Sequence, residues 1–418
     1  MNILVVGSGA REHAICWKIK ESNKVNKIYC APGNAGVSQI AECVDIKVNE
    51  LNKIVDFAVT SNIDLTIIGP EGPLVEGLAD LLDEKNIKVF GPKKNGAKLE
   101  GSKLYSKEFM KKNNIPTAKY ESYTDSNNAI EGLRQFNLPV VIKADGLAAG
   151  KGVLICQTMA EAKEAIENII NKKQFGEAGN TIVIEEFLEG TEASLLCFVD
   201  GKSITPMESA RDYKKAYDND LGLNTGGMGC FSPNTIYNDE LKKYIKANVL
   251  ETTLTGFKNE NIDFRGVLFI GLMVKDNQAK VLEYNTRFGD PETEVILPRL
   301  KSDLIDIMLK CIDGNLNEDD LLWHTKKCVT VVLASGGYPE NYEKNKEISG
   351  LKDVDSEVIV FHGGTYQMDG KVLTDGGRVL AVTAMGETLD KAREKIYKNI
   401  NKIHFDKMEY RTDIAKLK

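Results

Sequence analysis

One short segment near residue 285 carries side chains that suit a metal ion and an anion. Its sequence, residues 280–294, is KVLEYNTRFGDPETE. If the segment forms a strand, Glu283, Asn285 and Arg287 share one face because strand side chains alternate. A carboxylate and an amide oxygen suit Mg²⁺, and an arginine can neutralise a transferred phosphoryl group or hold a carboxylate. A buried salt-bridge network is the alternative for the same residues.

Two lysines frame a loop of small residues earlier in the chain. Lys143 ends an apolar run, and Lys151 follows the loop ADGLAAG. Such a loop can close over a triphosphate whose charge the two lysines would meet. The spacing is not that of a Walker A loop, and Gly-Lys pairs are also common in surface hairpins.

Paired carboxylates end the apolar run that follows, at IEEFLEG, residues 184–190. Glu185 and the region around Phe187 can present backbone groups and a carboxylate to an adenine edge, with a further carboxylate for ribose hydroxyls. An exposed acidic turn is the alternative.

The N-terminal turn GSGAREH, residues 7–13, comes directly after an apolar run and before a helical pattern. Free N–H groups at a helix start favour a phosphate, and Arg11 offers a bidentate donor for one. The fingerprint of dinucleotide sites requires a small residue where this chain has Glu12, which argues against NAD or FAD. A solvated arginine is the alternative for Arg11.

A second Gly-rich loop, NTGGMG at 224–229, follows a charged stretch that contains Asp212. Its glycines permit close backbone approach to a small ligand. Asp212 would then take a substrate ammonium while the loop amides take an oxyanion. A plain mobile loop is the alternative.

The elements that must position these residues change character along the chain. In the first hundred residues, apolar runs at 3–6, 28–30, 65–68 and 89–90 alternate with helical stretches at 10–20 and 74–84. That alternation predicts βαβ units and a parallel sheet, with ligands beyond the carboxyl ends of its strands. After residue 100 come a charged helix at 98–113, a compact α+β piece at 118–190 and longer apolar strands up to about 300. We expect a linker at 314–327 and a final α+β piece.

Composition excludes several classes of protein. The chain has 418 residues, 42% hydrophobic and 28% charged, which fits several globular domains. A net charge of -7 argues against nucleic-acid or membrane partners held by bulk charge. Eight scattered cysteines and four histidines show no zinc spacing. Because no signal-peptide pattern or long apolar stretch is present, we expect a cytoplasmic protein.

Taken together, the motifs resemble the ATP-grasp superfamily and, within it, the phosphoribosylamine-glycine ligases of purine biosynthesis. The resemblance covers nearly the whole chain, and agreement in many separated motifs is more specific than any one of them. The motifs that carry it, in order, are GSGAREHA, APGNAG, IGPEGPLVEG, FGP, LEGSK, IPTA, VIKADGLAAGKGV, IEEFLEG, NTGGMG, LEYNTRFGDPETE, SGGYP and GGRVLAVTA.

The resemblance implies an N-terminal Rossmann-like parallel α/β domain at 1–101, an ATP-grasp domain at 102–324 and a small C-terminal α+β domain at 325–418. A mobile lid is expected at about 118–190. The implied reaction phosphorylates glycine with ATP and Mg²⁺ or Mn²⁺, and 5-phosphoribosylamine then attacks the glycyl phosphate to give glycinamide ribonucleotide, ADP and phosphate. The resemblance also implies a monomer that acts only on these small molecules.

Site residues follow from the same resemblance together with the motifs above. Those expected to act in catalysis are Arg287, Asp212 and Lys143. Those expected to bind ATP are Lys103, Lys143, Lys151, Glu185, Phe187 and Glu192. Those expected to bind the other substrates are Gly9, Arg11, Asn34, Gly36, Glu71, Asp212, Thr225, Gly226, Gly227, Arg287 and Asp290. The expected metal ligands are Glu283 and Asn285; the preceding strand, 269–273, lacks the additional carboxylate of many ATP-grasp enzymes.

Three other functions compete with this interpretation. Another ATP-grasp ligase, such as a biotin carboxylase, would share the E-x-N-x-R strand but not its surroundings. A nicotinamide-dependent dehydrogenase would depend on the first turn alone. A non-enzymatic nucleotide sensor would not need Glu283, Asn285 and Arg287 on one face, and ATP binding without ADP release would favour it.

Overall fold

The N-terminal part of the chain is a five-stranded parallel sheet with helices on both faces, as predicted. The computed structural model describes residues 1–147 and 152–416. The strand order is β3-β2-β1-β4-β5. The strands are β1 Asn2–Gly7, β2 Lys27–Pro32, β3 Glu42–Cys43, β4 Leu65–Ile68 and β5 Lys88–Phe90. The helices are α1 Ala10–Ile19, α2 Leu51–Thr60, α3 Glu71–Glu76, α4 Leu78–Asp83 and α5 Lys94–Gly101.

The central strand β1 shows why its sequence is apolar throughout. Ile3 and Val5 lie in one hydrophobic core, while Leu4 and Val6 lie in another on the opposite face. All four side chains are fully buried. A strand covered on both faces needs no polar alternation.

Two predicted helices are each divided in the structure. The stretch predicted at 74–84 forms α3 and α4, because Gly77 adopts a left-handed conformation with φ 98° between them. The stretch predicted at 98–113 forms α5 and α6 (Lys103–Lys112), with Ser102 extended between them. The Ser102 side chain accepts a hydrogen bond from the Tyr105 N–H and so caps α6.

Residues 120–186 form a separate four-stranded antiparallel sheet of order β6-β9-β7-β8, which we call the lid sheet. Two helices share a hydrophobic core with it. The strands are β6 Tyr120–Tyr123, β7 Val140–Ala144, β8 Val153–Cys156 and β9 Ile182–Glu186, and the helices are α7 Ser126–Gly132 and α8 Met159–Ile166. Helix α8 continues directly as a π-helical turn, Glu167–Asn171.

The central sheet is antiparallel with the order β11-β10-β16-β17. Its faces pack against α9 and α10 on one side and α12 on the other. The strands of this part of the chain are β10 Thr191–Asp200, β11 Ile204–Pro206, β12 Arg211–Asp212, β13 Lys215–Tyr217, β14 Leu221–Asn224, β15 Gly229–Ser232, β16 Arg265–Lys275 and β17 Gln278–Asn285. The helices are α9 Asp239–Ile245, α10 Glu251–Asn259, α11 Thr293–Ile296 and α12 Leu304–Asp313.

The C-terminal sheet crosses one of the proposed domain boundaries. Its order is β12-β15-β18-β22-β19, and β23 also pairs with β18. The C-terminal elements are β18 Lys327–Ser335, β19 Val358–His362, β20 Thr365–Met368, β21 Lys371–Thr374, β22 Arg378–Gly386, α13 Leu389–Ile400 and β23 Met408–Glu409. Strands β12 and β15 come from before residue 325, so the proposed units 102–324 and 325–418 share this sheet. The division into 1–101, 102–324 and 325–418 remains a proposal.

The stretch predicted to be a linker, 314–327, is tied to the rest of the molecule. The Leu316 N–H donates to Asp200 Oδ2 at 3.1 Å, and Trp323 pairs with Leu300 in an isolated β-bridge. Within residues 1–147 and 152–416, no helix is both long and apolar enough to span a bilayer.

Candidate active site

The predicted metal strand ends earlier than the sequence suggested. Strand β17 stops at Asn285, so Arg287 lies in the following loop rather than on the strand. Its guanidinium nevertheless turns back, and Nη2 donates to Asn285 Oδ1 at 3.3 Å. Arg287 also contacts Glu100 Oε1 at 2.9 Å and Glu71 Oε2 at 3.5 Å. The three predicted residues therefore remain together, although the loop and not strand periodicity places the arginine.

Four cations surround the Glu283 carboxylate. Burial raises the pKa of this group, but Lys214, Lys143, Lys103 and Arg287 more than offset that effect and hold it below the ordinary value. Glu283 is therefore ionised at neutral pH. An ionised carboxylate beside several cations suits a polyanionic ligand that arrives with a divalent metal.

The Glu185 side chain lies between two lysines. It is 2% exposed, and its two oxygens lie 2.8 Å from Lys143 Nζ and 2.7 Å from Lys107 Nζ. Lys143 also donates to the Leu282 carbonyl at 3.2 Å. Because the carboxylate is already paired, only the backbone of Glu185 remains to contact a nucleotide.

Lys107 was not predicted from the sequence. It is 2% exposed, and burial lowers its pKa to about 8 despite the attraction of Glu185. It lies one turn beyond Lys103 on α6, and this i,i+4 spacing is the only sequence signal that could have indicated it.

The start of the lid loop is attached to α6. Asp145 Oδ1 accepts hydrogen bonds from Ser102 Oγ at 3.0 Å and from the Leu104 N–H at 3.1 Å. Lys103 Nζ donates to the Gly146 carbonyl at 2.9 Å, and burial lowers the pKa of this lysine. These bonds fix the positions of Asp145 and Gly146 relative to α6.

The remaining residues predicted to bind ATP lie at the edges of this region. Phe187 lines a cleft of about 750 Å³ between the lid sheet and the start of β17. Glu192 Oε2 is 3.3 Å from Lys214 Nζ, on the side of the site that holds Asp212. Lys151 lies outside the described residues.

Glu12 fills the space inside the N-terminal turns. Its carboxylate accepts the Gly9 N–H and the Arg11 Nε–H, both at 2.6 Å. A Cβ on Gly7 would lie 2.4 Å from the Glu12 Cγ, and one on Gly69 would lie 2.0 Å from its Oε1. The carboxylate thus occupies the turn where the pyrophosphate of a dinucleotide would bind. Its volume and negative charge argue against a nicotinamide-dependent dehydrogenase.

Arg11 lies beside Arg287 rather than in solvent. It is 8% exposed, and its Nη1 donates to the Phe288 carbonyl at 3.1 Å. Although burial lowers the pKa of Arg11, Glu12, Glu71 and other carboxylates raise it above its ordinary value. The alternative of a solvated arginine is therefore wrong.

Asn34 connects the N-terminal and C-terminal parts of the chain. Its Nδ2 donates to the Ser8 carbonyl at 2.8 Å and to the His362 carbonyl at 2.6 Å, and its Oδ1 accepts the Gly36 N–H at 2.9 Å. A Cβ on Gly36 would lie 2.4 Å from the His13 ring. In the structure both predicted residues shape the turn, and the side-chain amide of Asn34 is already engaged through its nitrogen and its oxygen.

Asp212 belongs to an acidic pair with the buried Glu292, a pair that the sequence did not reveal. Ser194 Oγ lies 3.4 Å from Asp212 Oδ1 and 3.3 Å from Glu292 Oε1. Burial and the neighbouring Asp212 raise the pKa of Glu292 to about 7, and burial raises that of Asp212. Lys214 lies close enough to both to lower their pKa values in part. The ammonium group of a substrate would offset the negative charge of the Asp212 and Glu292 carboxylates.

Hydrogen bonds of the Thr225 side chain hold the Gly-rich loop at 224–229 in place. Thr225 Oγ1 donates to the Lys214 carbonyl at 2.8 Å and accepts the Gly227 N–H at 2.9 Å. Gly227 has φ 115°, a left-handed conformation that favours glycine.

Two C-terminal side chains also hold this loop. The Gly226 N–H donates to Tyr338 Oη at 2.9 Å, and Arg378 Nη1 donates to the Gly226 carbonyl at 2.7 Å. Arg378 also contacts Asp290 Oδ1 at 2.8 Å. The motifs SGGYP and GGRVLAVTA contain these residues, but the sequence assigned no chemistry to them. Their contacts with the loop depend on folding of the C-terminal sheet.

The comparisons with known proteins cover the whole molecule. Residues 1–100, 101–293 and 328–417 match the N domain, the ATP-grasp (A) domain and the C domain of phosphoribosylglycinamide synthetase. The chain is 47% identical to a phosphoribosylamine–glycine ligase of Caldanaerobacter subterraneus subsp. tengcongensis over 99% of both chains. It is 46% identical to one from Clostridium acetobutylicum over 100% of both chains.

A solved structure agrees with these matches. The crystal structure of phosphoribosylamine–glycine ligase from Thermotoga maritima superposes with a TM-score of 0.88 at 36% identity, over 99% of this chain and 100% of the other. The chain described here therefore belongs to the phosphoribosylglycinamide synthetase family of ATP-grasp ligases, through all three of its domains.

Proposed function

We propose that this chain ligates glycine to 5-phosphoribosylamine with ATP, giving glycinamide ribonucleotide, ADP and phosphate, a reaction of purine biosynthesis. Similarity to ligases of this name over the full chain supports the substrates. The observation that carries the chemistry is the group of four cations around Glu283. Phosphoryl transfer needs charge neutralisation and alignment more than a nucleophile from the protein.

In the first step, the glycine carboxylate attacks the terminal phosphorus of ATP and releases ADP, which forms glycyl phosphate. Lys103 and Lys143 would meet the triphosphate, with Lys151, Glu185, Phe187 and Glu192 as the further nucleotide contacts. Arg287 neutralises charge that develops on the transferred group. In the second step, the phosphoribosylamine nitrogen attacks the acyl carbon and releases phosphate.

Glu283 and Asn285 would hold a divalent cation, Mg²⁺ or Mn²⁺. They fit one, because Glu283 is ionised and the Asn285 amide oxygen lies two residues along the same strand. Among residues 1–147 and 152–416, no cluster of three or more His, Cys, Asp or Glu could hold a metal ion. When bound, the ion would offset charge on the phosphate oxygens, which would supply its remaining ligands.

The other two substrates would bind on either side of Arg287. Residues proposed for phosphoribosylamine come from the N-terminal turns and are Gly9, Arg11, Asn34, Gly36 and Glu71. Residues proposed for glycine are Asp212, Thr225, Gly226, Gly227 and Arg287, and Asp290 is a further residue proposed to bind substrate. Asp212 would take the glycine ammonium, and Arg287 would hold its carboxylate. A monomeric state and a cytoplasmic location, expected from the same resemblance, complete the proposal.

The test is ADP release with ATP, Mg²⁺ and glycine, with and without phosphoribosylamine generated in the cuvette. Turnover that needs both substrates and yields a product with the mass of glycinamide ribonucleotide is the expected result. Glu283→Gln should abolish turnover, whereas Glu84→Gln, at an exposed position, is the matched control. Absence of ADP release with both substrates present would contradict the proposal and favour a different acceptor or a nucleotide sensor.

A further inference from the structure

Residues 411–415, which we call the C-terminal segment, pack beside the part of the chain that leads into the Gly-rich loop. Their partners lie 191 to 202 positions earlier in the sequence. The Thr412 N–H donates to Asp218 Oδ1, and the Asn219 N–H donates to Asp413 Oδ2, both at 2.8 Å. These two bonds attach the turn between β13 and β14 to the C-terminal segment.

Arg411 is at the centre of these contacts. It is 1% exposed, and its Nε and Nη2 donate to the two oxygens of Asp413, each at 2.8 Å. Its Nη1 donates to the Lys215 carbonyl and to Asp220 Oδ1, both at 3.0 Å. A bidentate pair with a carboxylate fixes the plane of the guanidinium group. Arg411 therefore holds the first residue of β13 as well as the turn that follows this strand.

Tyr213 receives the second set of contacts. The guanidinium carbon of Arg411 lies 4.9 Å from the centre of the Tyr213 ring, and the Ala415 N–H donates to the Tyr213 hydroxyl at 3.0 Å. The tyrosine is buried and shares a hydrophobic core with Phe231 and Ile414. A cation over its face and a backbone amide at its hydroxyl thus fix the position of the ring.

The residues on either side of Tyr213 belong to the candidate active site. Asp212 Oδ1 lies 3.4 Å from Ser194 Oγ, and Lys214 Nζ lies 3.3 Å from Glu192 Oε2. Successive side chains of an extended segment point to opposite sides. Tyr213 therefore faces the C-terminal segment, while Asp212 and Lys214 face the site.

The backbone of Tyr213 and Lys214 holds the Gly-rich loop at both ends. The Tyr213 N–H donates to the Gly229 carbonyl at 2.9 Å, and the Tyr213 carbonyl accepts the Met228 N–H at 2.8 Å. The Lys214 carbonyl accepts the Thr225 N–H at 2.7 Å. A displacement of Tyr213 would therefore move the loop together with the two charged side chains beside it.

We propose that the C-terminal segment positions the site for glycine, and that Arg411 acts there through Tyr213 on Asp212 and Lys214. The inference rests on the proposed function, because it concerns the site proposed for glycine. Arg411 and Tyr213 are positioning residues, since they fix the backbone that carries the ammonium-binding carboxylate and do not themselves contact the substrate. Misplacement of a binding group by about 1 Å can lower a rate about 10²-fold.

Two conservative variants test this link. Tyr213→Phe removes the acceptor of the Ala415 N–H, and Arg411→Lys removes the planar fork. Tyr213→Phe should raise the KM for glycine about 3- to 10-fold, as expected for one lost hydrogen bond, and Arg411→Lys should raise it further. The KM for ATP should stay within about twofold of the parent value in both variants, because ATP is proposed to bind to other residues.

Tyr410→Phe is the matched control. It makes the same chemical change one residue before the C-terminal segment, where the tyrosine packs against Tyr397. Its KM values should equal those of the parent. A purely structural role of Arg411 and Tyr213 would lower the melting temperature of their variants but leave the KM for glycine of the folded enzyme unchanged, and that result would overturn the proposal. Equal increases in the KM values for glycine and ATP would overturn it as well.

Hydrogen exchange of backbone amides tests the same link without turnover. The amides of Thr225 and Met228 should exchange faster in Tyr213→Phe and Arg411→Lys than in the parent, whereas those of the lid sheet should not change. Unchanged exchange at Thr225 and Met228 would overturn the proposal. Absence of turnover in the parent chain would refute the proposed function instead, and the exchange measurement would still decide whether the C-terminal segment holds the Gly-rich loop.

Discussion

Two carboxylates in the candidate site, Glu283 and Glu292, differ in charge because their neighbours differ. Glu283 faces four cations, and its pKa lies below the ordinary value. Glu292 faces Asp212, and its pKa rises to about 7. The cation-rich half of the site therefore suits phosphates, and the acidic half suits an ammonium group.

Arg287 is the residue on which both halves depend. Arg287→Lys should keep ATP binding but lower kcat about 10²- to 10³-fold, because lysine cannot reproduce the planar fork that contacts Glu100 and Asn285. Steady-state kinetics and equilibrium binding of ATP would measure the two effects. Arg134→Lys, at an exposed position, is the control. Unchanged kcat in Arg287→Lys would remove this residue from the mechanism.

Glu292 should make stability depend on pH in the neutral range. Its folded pKa, about 7, lies above the ordinary 4.5, so its contribution is present below pH 4.5 and is lost as pH rises to 7. At pH 8 the ionised, buried group costs up to about 3 kcal/mol. Glu292→Gln should therefore raise the melting temperature more at pH 8 than at pH 5.

The control for this measurement is Glu84→Gln, which changes an exposed carboxylate. Its melting temperature should follow that of the parent at both pH values. If Glu292→Gln gained no more stability at pH 8 than at pH 5, Glu292 would not be the group that ionises near pH 7.

At the scale of elements, the shape of the N-terminal turns depends on how β1, β4 and α1 pack. The ends of the two strands leave space for the Glu12 side chain of the helix. Glu12 on α1 occupies the space that Gly7, the last residue of β1, and Gly69, directly after β4, leave open. The Glu12 carboxylate also accepts the N–H of the N-cap residue Gly9, which fixes the start of α1 at the same time. The glycines of the motifs thus serve packing as well as backbone conformation.

Gly69→Ala should destabilise the N-terminal sheet by about 1–3 kcal/mol, the usual cost of an added methyl in a packed interior. Its Cβ would lie 2.0 Å from Glu12 Oε1, and Glu12 is held by two hydrogen bonds. Gly72→Ala is a matched control, since its Cβ would meet nothing within 4 Å and lies in α3. Thermal melting of both variants is the measurement; equal melting temperatures would contradict the role given to Glu12.

At the scale of the whole molecule, the first and last parts of the chain meet at two histidines. The His362 N–H donates to His13 Nδ1 at 2.8 Å, and Asn34 donates to the His362 carbonyl. Burial lowers the pKa of His13 to about 3, with a further contribution from His362, and burial lowers that of His362 to about 4. Both rings are neutral at physiological pH, and protonation would separate the two parts.

This contact should make the molecule sensitive to acid. For His13 the folded pKa lies below the ordinary 6.5, so stability is complete above pH 6.5 and falls as pH decreases toward 3. At pH 5 the loss from one such histidine is about 2 kcal/mol. His13→Gln should reduce the difference in melting temperature between pH 7 and pH 5, whereas His404→Gln, at an exposed position, should not. An undiminished difference in His13→Gln would exclude His13 as its source.

Several features of this protein could be predicted from sequence because they depend on neighbours in the chain. The alternation of apolar runs and helical stretches predicted the parallel sheet, and β4 begins and ends where expected. Glu283 and Asn285 lie on one strand face because their spacing is local. The helix boundaries were wrong where a single residue interrupts a helix, as at Gly77 and Ser102.

Contacts between distant residues decided the rest. Glu185 meets Lys107 and Lys143, and Arg378 reaches Gly226 across 152 positions of sequence. The charge of Glu292 depends on burial beside Asp212, which no local pattern records. The sequence by itself determined the elements, the motifs and the family. Only the tertiary structure decided which polar groups are already paired and which are free for a substrate, because burial and pairing arise when distant segments meet.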